Sequence, residues 1–157
     1  MSESNGAARI RRTDSADPHF QALVHQLDSY LTGINGEAHG FYSQYNKPQG
    51  LKHCVVAYLS DTPVGCGAFR PFPNEPIVEI KRMFVLPEAR RSGVARAIVD
   101  ALSSWAKEEG YERARLETSR RMEPAVTLYK SSGFEVIPNY GQYKDVEDSI
   151  CMERQIN

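Results

Sequence analysis

Long apolar runs are missing: no stretch of this chain approaches the roughly 20 successive apolar residues that a membrane-crossing helix needs. A surplus of one charge is missing too. Lysine and arginine number 19 against 20 aspartates and glutamates, a net charge of -1. No overall field therefore draws the chain to nucleic acid or to an anionic membrane. Cysteine is scarce and odd in number (Cys54, Cys66, Cys151), forms no C-x-x-C, and falls only in strand-like segments. That usage fits buried, reduced thiols in a cytoplasmic protein and not a disulfide framework. The histidines (His19, His25, His39, His53) make no H-E-x-x-H and no Cys/His pairing at ligand spacing, so no metal is expected. Met1 to Ala8 is polar and lacks the apolar centre of a secretory leader, and residues 1–7 read as a flexible tail.

What is present is the length and patterning of one domain, residues 1–157. Ala8 to Thr13 alternates as a first strand. Asp17-Pro18 starts a helix, with a capping side chain followed by a proline whose missing N–H costs nothing there. Phe20, Leu23, Val24, Leu27 and Leu31 recur at helical spacing, and Gly33 to Gly36 should break that helix. Glu37 to Asn46 is rich in aromatics and suits a short second helix. Leu51–Leu59 and Val64–Phe72, joined at Asp61-Thr62-Pro63, form a hairpin. Ile77–Leu86 alternates at first, with Glu79 in the register of Ile77, and then turns apolar on both faces from Met83. Val94, Ile98, Ala101, Leu102 and Trp105 stripe a helix that Gly110 stops. Arg113–Thr118 is a strand, so Ile77 to Thr118 reads as a right-handed parallel crossover. Pro124 opens another helix, Gly133-Phe134 closes it into a strand, and Ser149–Gln155 is the last strand. Strands before and helices interleaved after make a mixed α/β or α+β sheet.

One stretch carries more than packing. In "PEARRSGVAR", Pro87 to Arg96, two arginines and a glycine stand where a long helix begins. The first-turn N–H groups of a helix lack intrahelical partners, and the dipole there favours an anion. Gly93 leaves the backbone open to close approach, so the turn suits a phosphate. Taken alone it is equally a solvated basic turn. It is neither a P-loop nor a G-x-G-x-x-G dinucleotide turn.

Arg90-x-x-Gly93-x-Ala95, behind a buried strand, resembles the acyl-CoA pyrophosphate loop of the GNAT superfamily of N-acetyltransferases. The resemblance continues through "EIKRMFVLPEARRSGVARAIVDAL" (Glu79 to Leu102) and "AVTLYKSSGFE" (Ala125 to Glu135), in the family's order. Many relatives carry an asparagine three positions before the second motif's alanine. Met122 stands there, without an amide to contact the cofactor arm. The fold this implies is a mixed, mostly antiparallel central sheet of six to seven strands. About four helices flank it, and a central parallel pair of strands splays apart.

The activity the resemblance implies is acetyl transfer from acetyl-CoA, as co-substrate, to a primary amine of a small molecule or amino acid. The diphosphate would fall to Arg90, Arg91, Ser92, Gly93, Val94 and Ala95. Free backbone groups at Met83, Phe84 and Val85 would pair with the pantetheine arm like an added strand. An ammonium cannot attack a thioester, so a base is needed. Glu79, in an otherwise apolar strand, is the candidate; its bland alternative is a strand carboxylate paired with Lys81 or Arg113. Tyr129 matches the family's tyrosine at the cofactor sulfur and is the candidate acid, or a core tyrosine, or both. Phe41, Tyr42, Tyr45, Asn46, Arg70, Phe72, Tyr140 and Tyr143 are candidates for an acceptor pocket, with Arg70 suited to a carboxylate. The competing expectations are a protein or peptide N-acetyltransferase and a non-catalytic acyl-CoA-binding sensor. The family resemblance also allows a homodimer.

Overall fold

The computed structural model describes residues 8–35 and 50–157. In chain order the elements are β1 (Arg9–Thr13), α1 (Pro18–Asn35), β2 (His53–Leu59), β3 (Thr62–Pro71) and β4 (Ile77–Val85). There follow α2 (Val94–Glu108), β5 (Arg113–Ser119), α3 (Glu123–Ser131), β6 (Glu135–Ile137) and β7 (Ser149–Gln155). Short 3-10 turns lie at Pro87–Ala89 and Gly141–Tyr143. The strands make one mostly antiparallel sheet in the order β1-β2-β3-β4-β5-β7-β6, with β4 and β5 parallel. The mixed sheet expected from the sequence is therefore present. The aromatic segment Glu37–Asn46, read as a further helix, lies outside the described residues.

The chain packs as two compact units. The first is Met1–Arg70 with Lys81–Leu102, the second Pro71–Ile80 with Ser103–Asn157.

In the first unit, β1 pairs antiparallel with β2, and β2 with β3. Asp17 caps α1: its Oδ1 accepts the His19 N–H at 2.8 Å and the Phe20 N–H at 3.2 Å. Burial pushes the Asp17 carboxyl up. Those two bonds, with the Thr13 side chain and the Arg11 guanidinium, outweigh it and hold the group below its ordinary value. Phe20, Leu23, Val24 and Leu27 are buried, as the helical stripe requires. The helix passes Gly33 and ends at Asn35, within the Gly33 to Gly36 span where the sequence placed its break. A glycine costs a helix only about 1 kcal/mol, which existing helical packing can absorb near its end.

Two glycines of β3 let α2 lie close. A Cβ at Gly65 would stand 2.9 Å from Ile98 Cδ1, and one at Gly67 would stand 2.8 Å from Ile98 Cγ2 and from Met83 Sδ. A half-buried ion pair joins β4 to α1: Arg82 donates to Asp28 Oδ1 at 2.7 Å, with 2% of the arginine side chain and 41% of the aspartate side chain exposed. Arg82 also has φ 59°, a left-handed residue inside a strand, which ends the clean alternation seen from Ile77.

In the second unit, β5 pairs along its whole length with β7, and β6 with β7. Ala114, Leu116, Phe134, Tyr143, Cys151 and Met152 are buried there. Met122 caps α3 through its carbonyl, which accepts from the N–H groups of Ala125 and Val126, both at 3.1 Å. Its side chain makes no cap bond. Asn139 organises the segment before β7: its Nδ2 bonds the carbonyls of Tyr143, Val146 and Ser149 at 3.1–3.3 Å.

The parallel ladder of β4 with β5 covers Ile77↔Arg113, Val78↔Ala114 and Glu79↔Arg115. Beyond it β4 runs on to Val85 and β5 to Ser119.

Candidate active site

In the first unit the backbone turns sharply after β4. The Leu86 N–H donates to Val64 O at 2.8 Å, and the Pro87–Ala89 turn follows. Arg90 then fastens the loop to its own strand. Its Nε donates to Val85 O at 2.9 Å, and its guanidinium lies 5.1 Å from the Tyr30 ring centre and 5.9 Å from that of Phe84. Ser92 Oγ donates to Ala89 O. Arg91 at φ 65° and Gly93 at φ 85° are both left-handed, one residue apart. For an arginine that conformation costs roughly 1 kcal/mol or more, so the surrounding bonds hold it in place.

Gly93 O takes the Ala97 N–H at 3.0 Å, the first bond of α2. The N–H groups of Val94, Ala95 and Arg96 therefore precede any intrahelical acceptor. A Cβ at Gly93 would meet nothing within 4 Å. Here glycine is required by φ and not by crowding within the chain, and the space over the turn is open. Exposed arginines, a positive helix end and that open backbone fit a diphosphate. Met83, Phe84 and Val85 precede the turn, with Phe84 and Val85 buried and Met83 half-buried.

In the second unit Glu79 is 3% exposed. The Tyr140 hydroxyl donates to its Oε2 at 2.9 Å. Burial, and after it the facing Glu79 carboxylate, push the Tyr140 phenol far above its ordinary value, so it remains a proton-bearing donor. Arg115, the partner of Glu79 across the ladder, lies between two rings, 5.4 Å from Phe72 and 5.6 Å from Tyr140. Its Nε donates to Glu153 Oε2 at 2.7 Å, and Arg113 approaches the same carboxylate at 3.6 Å.

Tyr129, on α3, is buried with its ring edge-on to Phe134 at 5.9 Å. Burial raises its pKa, so it too stays protonated at any working pH. The Phe134 N–H donates to Tyr129 O at 3.0 Å, which fixes the end of α3 at the glycine-phenylalanine junction.

The structure thus places Glu79, Phe72, Tyr129 and Tyr140 in one unit, and the Arg90–Ala95 turn with Met83–Val85 in the other. Arg70, the sequence candidate for a carboxylate, is exposed at the end of β3 in the first unit. Tyr143 is 1% exposed and belongs to the core. Phe41, Tyr42, Tyr45 and Asn46 lie outside the described residues. Sequence reasoning missed Arg115, Glu153 and Asn139. The only signal for the first two was opposite charge on predicted strands, and that does not reveal register.

The cysteines Cys54, Cys66 and Cys151 are free and buried. Burial pushes the Cys54 thiol up to about 12, that of Cys151 up to about 11, and that of Cys66 higher still. They are unreactive packing groups at neutral pH. Among the described residues no cluster could hold a metal ion, and no helix is long and apolar enough to cross a membrane.

A mostly antiparallel sheet with one parallel pair, and a basic left-handed turn opening the helix after β4, define an acyltransferase of the coenzyme A-dependent type. Residues 20–134 match the profile described as Acetyltransferase (GNAT) family. The chain belongs to that family and is an acetyl-CoA-dependent acetyltransferase. It is 30% identical over 127 residues, 77% of each chain, to an uncharacterised N-acetyltransferase of Schizosaccharomyces pombe. A solved Klebsiella pneumoniae protein, assigned by name to the acyl-CoA N-acyltransferases, superposes with a TM-score of 0.80 at 23% identity, over 98% of this chain and 100% of that one. N-acetylglutamate synthase of Neisseria gonorrhoeae, solved with coenzyme A and N-acetyl-glutamate, gives 0.68 at 17% identity, over 96% of this chain and 35% of that one.

Proposed function

We propose that this chain works as one catalytic domain that acetylates a primary amine, carried by a small molecule or an amino acid, by direct attack on acetyl-CoA. The observation that carries the reading is Glu79: a buried carboxylate of β4, between Val78 and Ile80, held in orientation by the Tyr140 hydroxyl. The structural neighbour solved with coenzyme A supports the co-substrate.

Acetyl-CoA supplies the thioester whose acyl carbon is attacked. Backbone N–H groups of Arg91, Ser92, Gly93, Val94 and Ala95 hold its diphosphate, with the Arg90 and Arg91 charges assisting. Backbone groups of Met83, Phe84 and Val85 pair with the pantetheine amides, and an N–H there donates to the thioester carbonyl as negative charge develops. Glu79 takes the proton from the ammonium of the acceptor, directly or through one water, and so exposes the attacking lone pair. Tyr129 donates a hydrogen bond to the departing sulfur. Its raised pKa makes it a poorer proton donor than an ordinary phenol. Its contribution is therefore stabilisation of the developing thiolate, with net protonation completed from solvent. Tyr140 keeps Glu79 from turning away. Three buried, reduced thiols support a cytoplasmic location.

The test is release of free thiol from acetyl-CoA against amino acids, polyamines, aminoglycosides and lysine peptides. Turnover of a small amine is the expected result. Turnover of peptides alone would make the chain a protein or peptide acetyltransferase, and binding of acetyl-CoA without thiol release would make it a sensor.

A further inference from the structure

The second unit contains a shallow, open cavity of about 570 Å³ at the surface, lined in part by Arg115, Asn139, Tyr140, Lys144 and Glu153. That volume falls within the range of small-molecule sites. One wall is shared with the proposed base, because Tyr140 lines the cavity and also donates to Glu79. Glu79 meets the cavity only through Tyr140, which makes the cavity the candidate place for the rest of an acceptor whose amine reaches Glu79.

Register sets the polarity. Residues paired directly across a ladder project from the same face of a sheet. Glu79 pairs with Arg115 across β4–β5, and Arg115 with Glu153 across β5–β7. Carboxylate, guanidinium and carboxylate thus stand in a row on one face. Glu153 accepts from Arg115 at 2.7 Å and is approached by Arg113 at 3.6 Å, so two guanidinium groups face it. Lys144 adds a third cation on the rim. Within the cavity lining Arg115 and Lys144 outnumber Glu153, so the lining itself is net positive, while Glu135, paired with Glu153, and Glu117, two residues on from Arg115, stand outside it on the same sheet face. An amino acid laid with its amine on Glu79 has the opposite polarity. The wall is also preformed, since Asn139 ties down the segment carrying Tyr140 and Lys144 through three carbonyls.

We propose that this cavity receives the carboxylate of the acceptor, and that the acceptor is an amino acid or a similar compound bearing a carboxylate near its amine. Lys144 and the outer edge of Arg115 contact the carboxylate, and the remaining volume takes the side chain. The proposal rests on the acetyl-transfer reading above.

The experiment compares kcat/KM for free L-amino acids with that for their carboxamides, using thiol release, in the wild type, Lys144→Gln and Lys144→Glu. An amide's amine is less basic, so the quantity read is the change in the acid-to-amide ratio between proteins. Lys144 is exposed, and thermal melts of the variants check that they fold. Loss of an exposed charge pair predicts a ratio lowered about twofold to fivefold in Lys144→Gln. Reversing the charge in Lys144→Glu should lower it further, with the change in KM. An unchanged ratio in both variants overturns the carboxylate site and leaves acetyl transfer standing. Thiol release from no amine at all overturns the acetyl-transfer reading. Calorimetric titration with N-acetylated amino acids then decides the site alone: binding weakened in Lys144→Glu supports it, and no binding at millimolar concentration overturns it.

Discussion

Glu79 and Tyr129 differ in what their removal should do. The Glu79→Gln variant keeps the shape and the acceptor for the Tyr140 hydroxyl but cannot take a proton. Its kcat/KM for the amine should fall by about 10²- to 10⁴-fold, the usual contribution of a general base. Its rate should then rise about tenfold per pH unit up to the pKa of the amine, since only already neutral amine reacts. A wild-type-like pH profile in the variant would mean that the proton leaves by another route. For Tyr129→Phe the ring and its contact with Phe134 remain, so the melting temperature should hold. The value of kcat should fall about tenfold to a thousandfold. Unchanged kcat at saturating amine would leave Tyr129 as a core residue only.

Elements carry different constraints at two glycines. At Gly67 the conflict is space: an alanine Cβ would stand 2.8 Å from Ile98 Cγ2 and Met83 Sδ and 2.9 Å from Leu102 Cδ1. Gly67→Ala should therefore destabilise by about 1–3 kcal/mol, measured by chemical denaturation, as overpacking does. At Gly93 the conflict is conformation, with φ 85° and open space around the missing side chain. Gly93→Ala should cost roughly 1 kcal/mol in strain. It should weaken coenzyme A binding about tenfold by calorimetry, because the N–H groups of the turn reorient. Equal coenzyme A affinity in that variant would remove the turn from the binding site. Three elements were readable beforehand: strand β4, the basic turn and helix α2 lie where apolar period and the turn's residues put them. The reason Gly65 and Gly67 are glycines was not readable, because it resides in Ile98 and Leu102, some 30 residues away in sequence.

For the molecule as a whole, the three thiols report on opening. With Cys54 pushed up to about 12 and Cys151 to about 11, the thiolate fraction at pH 8 is minute. An aromatic disulfide reagent should label none of them in the native protein. It should label all 3 once the chain unfolds in denaturant. Rapid labelling of one thiol under native conditions would show that its unit opens locally. The two units also divide the proposed chemistry: the turn proposed to hold coenzyme A belongs to the first, the proposed base Glu79 and acid Tyr129 to the second, and the chain passes from one to the other inside β4.

By itself the sequence determined where most strands and helices fall, where the basic turn proposed to hold a diphosphate lies, and that a carboxylate in the strand before it, Glu79, is the candidate base. Those features are local: an apolar period, a capping aspartate and a glycine at the start of a helix are all written within a few neighbouring residues. Tertiary structure alone decided that Tyr140 holds Glu79, that Arg115 stands beside it between two rings, and that Arg82 pairs with Asp28. Each of these joins residues 25 to 61 positions apart, 54 in the case of Arg82 and Asp28. Only the ladder register and the packing of α1 bring them within reach, and a one-residue slip in register would turn Arg115 to the other face of the sheet.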